Sequence, residues 1–321
     1  MRRSNILKGN ELVSTSRLKI ANKSNLSALD RTCILRGLGG IGDVLMATVA
    51  VREYKRENPN TQVIFAIDRD STYDDTYYKL VKNADFIDKI ISKKDLVKEK
   101  YREFYDITTC CIEEENSRPF PRGRISIFAS ACQVRRIENS IPFYLEEEVE
   151  ANRCEIFLEK YKSCKRFFIH TASNEGKRSW PTKNILELIQ LINAKYKNSV
   201  IFISDFNQTY SDWDIVKNVV NVSGWNIREC ASLIKRCDLF IGPDSGLMHL
   251  AAAVETKSLV IFGSIPPESR ISYYPTHESI RMDELACIGC WYKPCPYDTK
   301  CMKSLTAKRV FNKLEEMVNS V

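Results

Sequence analysis

Cys33-Ile-Leu35, Arg36-Gly-Leu-Gly-Gly-Ile-Gly-Asp43 and Val44-Leu-Met-Ala-Thr-Val-Ala-Val-Arg-Glu-Tyr-Lys55 follow one another without a gap. The first run is apolar and predicts a strand, the glycines allow a sharp turn at its end, and the spacing after them predicts an amphipathic helix. Asn58-Pro59 stops that helix, and Gln62 to Ile67 reads as the next strand. Strand, helix and strand within about thirty residues open a parallel α/β sheet.

The rest of the first half predicts a helix over Thr72 to Asn83, a strand around Phe86 to Ile90 and a strand near Tyr105 to Thr109. An exposed loop over Cys110 to Arg124, a helix over Ile125 to Cys132 and a crossover helix within Leu145 to Lys160 follow. The pattern then starts again. Phe167 to His170 reads as a strand, Thr171 to Trp180 as a polar loop, and Pro181 opens a helix carried by Asn184 to Lys195. A strand over Val200 to Ser204, helices over Trp213 to Val220 and Ile227 to Lys235, and a strand over Leu239 to Ile241 come next. Leu247 to Val254 predicts a helix, Ser258 to Phe262 a strand and Lys308 to Val318 a closing helix. The expectation is an α/β chain of two Rossmann-like domains facing across a cleft. A polar, basic N-terminal arm occupies 1–30, the first domain 31–162, and the second domain 163–321.

Length and composition agree with two domains: 321 residues at 44% hydrophobic content exceed what one core usually organises. No apolar stretch is long enough to span a bilayer or to act as a secretory leader, so the expected location is the cytoplasm. Lys and Arg exceed Asp and Glu by 48 to 41, for a net charge of +7. That excess suits nucleotides, the anionic inner face of a membrane and nucleic acid, and separates none of them. Twelve cysteines are many for a reducing compartment. Eight are scattered and read as small buried hydrophobes. The other four, Cys287, Cys290, Cys295 and Cys301, form C-x2-C-x4-C-x5-C, a spacing that suits a structural Zn or Fe ion and leaves no open ligand position for chemistry. Unligated or redox-active thiols are the alternative.

Two glycine turns stand at strand-to-helix junctions. The first presents Asp43 in the opening turn of a helix, where a carboxylate repels a pyrophosphate. Asp68 falls 26 positions beyond Gly42, further than the ribose-binding acid of a dinucleotide fold. Both facts argue against a nicotinamide site and leave Asp43 either as a helix cap or as a base facing the cleft. The second turn, Gly242-Pro-Asp-Ser-Gly-Leu-Met-His-Leu-Ala-Ala-Ala253, brings free amides near Ser245 and Gly246 to a helix start, which is anion-binding geometry. Asp244 there either caps the turn or binds a hydroxyl. His249, one of three histidines, reads first as a hydrogen-bonded structural residue, and His170 likewise. Lys177 and Arg178 are either a solvated basic turn or cations that offset charge on a departing pyrophosphate.

Taken in order, these motifs resemble the ADP-heptose lipopolysaccharide heptosyltransferases and their relatives, the ninth glycosyltransferase family. Gly39-Gly-Ile-Gly-Asp43 looks like the loop bearing the family's general base. His170-Thr-Ala-Ser, Lys177 and Trp180-Pro181 resemble its basic loop, and Gly242 to Ala253 its most characteristic stretch, followed by Phe262-Gly-Ser264 and Pro267. The similarity runs from about Cys33 to Cys301. Pro243 departs from the usual Val or Ala, and Lys177 stands one residue further from Trp180 than is common, which leaves Lys177 or Arg178 as the phosphate contact.

The resemblance implies a GT-B architecture and metal-independent inversion at an anomeric carbon, with a nucleotide-diphosphate sugar, an ADP-sugar first among them, as donor. Asp43 would take the acceptor proton and Lys177 or Arg178 would steady the leaving diphosphate. Gly42, Asp244, Ser245, Gly246 and His249 would line the donor. A glycan hydroxyl is the leading acceptor, with protein or a modified nucleic acid as alternatives and Phe120, Tyr273 and Tyr274 as aromatic candidates beside it. A non-catalytic nucleotide-sugar-binding scaffold is the rival without chemistry. The cysteine cluster resembles that of relatives that carry iron and form large homo-oligomers.

Overall fold

The structure, a computed structural model, describes residues 30–69, 75–118, 122–290 and 295–319. The expected N-terminal arm thus lies outside the described residues, except for Asp30. Two parallel sheets organise the rest. The first has the order β3-β2-β1-β4, from β1 (Arg31–Arg36), β2 (Gln62–Ile67), β3 (Lys89–Ser92) and β4 (Glu103–Asp106). Its helices are α1 (Ile41–Glu57), α2 (Thr76–Val81), α3 (Cys110–Ser117) and α4 (Arg124–Ala131). Next, α5 (Glu148–Leu158) leads into the second half, where the Phe157 ring packs edge-on against Trp225.

The second sheet has the order β10-β9-β8-β5-β6-β7. It is built from β5 (Lys165–His170), β6 (Ser199–Ser204), β7 (Val219–Asn221), β8 (Leu239–Pro243), β9 (Ser258–Ile261) and β10 (His277–Ile280). Interleaved with these strands are α6 (Thr182–Lys195), α7 (Ile227–Lys235), α8 (Gly246–Ala253) and α9 (Glu268–Ile271), and α10 (Lys300–Lys303) and α11 (Ala307–Asn319) close the chain. One apolar core is continuous through both halves, from Ile34 and Val44 to Phe168, Met248 and Phe262. A second fills the far face of the larger sheet, where α6 and α11 pack beside one another. No helix among the described residues is long and apolar enough to cross a membrane.

Three local expectations are corrected. Cys110 to Arg124 is not simply an exposed loop: Cys110–Ser117 is helical, and Cys111 is buried beneath it. Its acids looked solvated in sequence because spacing does not show that Arg122 and Arg124 fold back onto them or that the distant Arg270 reaches them. Trp213 to Val220 is not a helix but a short turn, Trp213–Ile215, followed by β7. The Trp213 indole N–H donates to the Asp205 carboxylate at 2.8 Å, and Asn218 takes a left-handed backbone that ends any helix there. The edge strand β10 had no counterpart in the sequence pattern. It is four residues long, too short for a period to stand out.

Candidate active site

In each sheet the strand order reverses once beside the first strand, between β1 and β4 in one and between β5 and β8 in the other. Loops leaving the carboxyl ends of strands at such a point border a crevice. Here those loops are the Gly37 to Gly40 turn, the Thr171 to Pro181 segment and Asp244-Ser245. The two sets meet. A Cβ on Gly246 would lie 2.9 Å from Ile41 Cβ, and one on Gly42 would enter the His249 ring. The N-termini of α1 and α8 therefore approach each other through two glycines. Helix N-termini carry partial positive charge, so this contact favours negative groups, and Asp43 and Asp244 stand on either side of it.

Asp43 accepts from the Gly40 amide at 3.2 Å, which is the capping role, and the same carboxylate has two arginine partners. Arg36 lies 3.4 Å from one oxygen and Arg124 donates to the other at 2.6 Å. Gly39, at φ 111, permits this: a Cβ there would sit 2.6 Å from Asp43 Oδ2 and overlap the Arg36 guanidinium. Burial by itself would raise the Asp43 carboxyl, but Arg124, Arg36 and Arg270 prevail and hold it below the ordinary carboxylate range. The surrounding guanidiniums thus favour its ionised form.

Further ion pairs carry this line of charge into the second half. Arg124 presents Nε and Nη2 to the two oxygens of Glu115, each at 2.8 Å. Glu115 also accepts from Arg270 Nη1 at 2.9 Å, Arg270 Nε lies 3.7 Å from Asp244, and Asp244 accepts from Arg178 at 2.9 Å. Arg36, Glu115, Arg124 and Arg270 were not singled out from the sequence. The one signal was the acid-then-arginine composition of Cys110 to Arg124, which describes a solvated loop equally well. Burial pushes the Asp244 and Glu115 carboxyls up, the neighbouring guanidiniums pull both further down, and both end below their usual range.

Of the two basic candidates, Arg178 is committed to Asp244. Lys177 Nζ is buried with no hydrogen-bond partner, 3.7 Å from Glu175, and Ser245 Oγ and Ser264 Oγ are buried and unpartnered as well. On the loops after β5, β8 and β9, these three atoms are suited to meet a multiply charged, hydroxyl-rich ligand. Both histidines are buried and hydrogen-bonded. His249 Nδ1 lies 2.7 Å from the Tyr274 hydroxyl, and burial pushes the imidazole down to about 3. His170 Nδ1 lies 3.0 Å from Ser204 O, with its ring held down to about 4. Trp180 donates to Leu305 O at 2.9 Å, which ties the loop to the chain's last segment. Tyr274 is buried under His249 rather than open to an acceptor, and Phe120 lies outside the described residues.

Cys287, Cys290, Cys295 and Cys301 line one small cavity together with Lys177 and Ser264. Gly263 makes room for this, since a Cβ there would lie 3.3 Å from Cys301 Sγ. All four thiols are free, and burial together with the other three raises the Cys301 thiol. Among the described residues, no three His, Cys, Asp or Glu side chains converge closely enough to hold an ion as placed. Four soft donors on one cavity fit zinc or iron in kind; the convergence of a closed tetrahedron is absent.

Comparison with known proteins places these motifs. The family model for Glycosyltransferase family 9 (heptosyltransferase) matches residues 126–300, more than half the chain. Lipooligosaccharide heptosyltransferase 2 of Campylobacter jejuni subsp. jejuni is 33% identical over 106 residues, which span 33% of this chain and 33% of that relative. The curated relative is thus matched over about a third of its length. Among solved structures, a glycosyl transferase family 9 protein from Veillonella parvula superposes with a TM-score of 0.73 at 14% identity, covering 94% of this chain and 100% of the other. The iron-containing dodecameric glycosyltransferase TibC from enterotoxigenic E. coli superposes at 0.66 with 16% identity, covering 92% and 78%. At such identities the superpositions speak for the fold, two facing α/β units of GT-B type.

Proposed function

From the premise that the chain belongs to glycosyltransferase family 9, we propose that it is an inverting transferase moving a heptose or a similar hexose from a nucleotide-diphosphate sugar to a glycan hydroxyl. An ADP-sugar is the proposed donor, and the cytoplasm, at the inner face of a membrane, the proposed place of work. The observation that carries this reading is the meeting of the Asp43 turn with the Ser245-Gly246 turn, beside the unpartnered Lys177 Nζ, Ser245 Oγ and Ser264 Oγ.

In the reaction, Asp43 takes the proton of the acceptor hydroxyl as that oxygen attacks the anomeric carbon. The bond from that carbon to the diphosphate breaks, and the nucleoside diphosphate leaves with the electron pair. Lys177, with no hydrogen-bond partner of its own, offsets the growing negative charge, and the α8 amides with Ser245 hold phosphate oxygens. Arg178 instead keeps Asp244 in place for a ribose or sugar hydroxyl. His249 stays neutral and packs against Gly42 at the start of α1.

We further propose that the four cysteines hold a structural zinc or iron ion that stiffens the loop over Lys177, and that the chain self-associates. What supports this is the shared cavity and the likeness to a relative described as iron-containing and dodecameric.

The test is a mass-spectrometric screen of ADP-, UDP- and GDP-sugars against a deacylated lipopolysaccharide core. An ADP-sugar is expected to give the transfer product. Asp43→Asn should cut transfer at least tenfold while ADP binding, measured by calorimetry, changes little. Undiminished turnover by that variant would remove Asp43 from the mechanism, and donor binding without transfer to any acceptor would favour the scaffold.

A further inference from the structure

Arg124 makes the shorter of the two arginine contacts that hold Asp43, and Glu115 determines where Arg124 points. A guanidinium has five N–H donors in a rigid plane. Glu115 engages the Nε and Nη2 edge as a two-point fork, which fixes the plane and leaves Nη1 aimed at Asp43 at 2.6 Å. Such paired contacts add geometric definition beyond their charge. The Glu115 oxygen that accepts from Arg124 Nε also accepts from Arg270 Nη1, whose α9 belongs to the second half and whose Nε faces Asp244 on the donor turn. Glu115 therefore holds one arginine from each half, and its side chain is only 9% exposed, as is fitting for a contact that forms when the halves are together.

On this geometry, and resting on the base role given to Asp43 above, we propose that Glu115 is a positioning residue for the transfer reaction. It orients Arg124, and through it the Asp43 carboxylate, and the same carboxylate ties that orientation to Arg270 and hence to the closed arrangement of the two halves. Glu115 touches neither donor nor acceptor. With the halves apart, Arg270 leaves Glu115 and the fork loses one of its fixed neighbours, so Arg124 is held less firmly against Asp43, which keeps its Gly40 and Arg36 contacts.

The experiment is a double-variant cycle with Asp43→Asn and Glu115→Gln, using ADP-heptose as donor and a deacylated lipopolysaccharide core as acceptor. Glu115→Gln keeps shape but weakens the fork, and is expected to lower kcat about tenfold with a less than threefold change in the donor KM. In the Asp43→Asn background the same change should cost nothing further, since there is no base left to position. Arg124→Lys, which keeps a cation but cannot form the fork, should reproduce the kcat-only loss and covers the case in which the glutamine variant folds poorly. Asp43→Asn inactive with Glu115→Gln at full rate, or with fully additive losses, would overturn the positioning role alone. Asp43→Asn at full rate would overturn the base reading and the positioning role with it.

Discussion

All three histidines of the chain are buried, and burial drives each imidazole below its ordinary value, to about 4 for His170, about 3 for His249 and about 4 for His277. In the unfolded chain the same rings titrate near 6.5. Between 6.5 and about 4 the unfolded state therefore binds protons that the folded state does not, so stability rises with pH across that window. Each ring contributes a slope of about 1.4 kcal/mol per pH unit. The depressed carboxyls of Asp43, Glu115 and Asp244 act in the same direction at lower pH: their contribution is complete above the normal carboxylate range and is lost as pH falls through their folded values. Thermal melts are expected to hold steady above pH 7 and to fall steadily from pH 6.5 to 5. A melting temperature unchanged over that interval would mean that the rings are protonated or exposed in the folded protein. The sequence made the structural role of His249 legible, but not its partner. Tyr274 is 25 positions away, and nothing in the spacing joins them.

At the level of elements, the decisive contact is α1 against α8, where a glycine in the first turn of each helix lets the other approach. The glycines were visible as turn residues and were read toward a ligand. Gly42 in fact spends its missing side chain on the His249 ring, a group from the opposite half. Gly42→Ala is expected to force the two helix starts apart and to cost on the order of 1–3 kcal/mol, the usual penalty for an overfilled core site. Chemical denaturation measures this, and the penalty should largely vanish in a His249→Ala background, where the obstructing ring is gone. An equal penalty in both backgrounds would place the clash elsewhere. The helix α3 was the element least legible from sequence, because its buried side carries little more than Cys111 while its acids are matched by Arg122 and Arg124 folding back from the following loop and by the distant Arg270.

For the molecule as a whole, the halves are joined by a common core and by buried ion pairs. Beyond those at the site, Arg228 of α7 pairs with Glu150 of α5 and donates to Lys79 O at 2.7 Å, reaching back across to α2. The cysteine-lined cavity lies beside Lys177 within the second half, so a metal there would stiffen the donor side without entering the chemistry. Protein purified without oxygen is expected to carry bound zinc or iron by elemental analysis and to run as an oligomer in native mass spectrometry. Cys287→Ser combined with Cys290→Ser should remove the metal while leaving the two sheets folded. Metal-free protein from that preparation would overturn the proposed centre, and a monomer at micromolar concentration the proposed assembly.

Local chemistry determined much of this protein without tertiary help. Apolar runs ending in glycine turns specify βα units whether or not anything packs on them, so the two-sheet plan, the Asp43 turn and the Ser245-Gly246 turn could be read directly from residue order. What only the tertiary structure decided is which charges meet. The partners in the line from Asp43 through Arg124, Glu115 and Arg270 to Asp244 lie up to 155 residues apart in the chain. Periodicity and turn propensity act over a few residues, whereas an ion pair depends on distance in space, which folding alone sets.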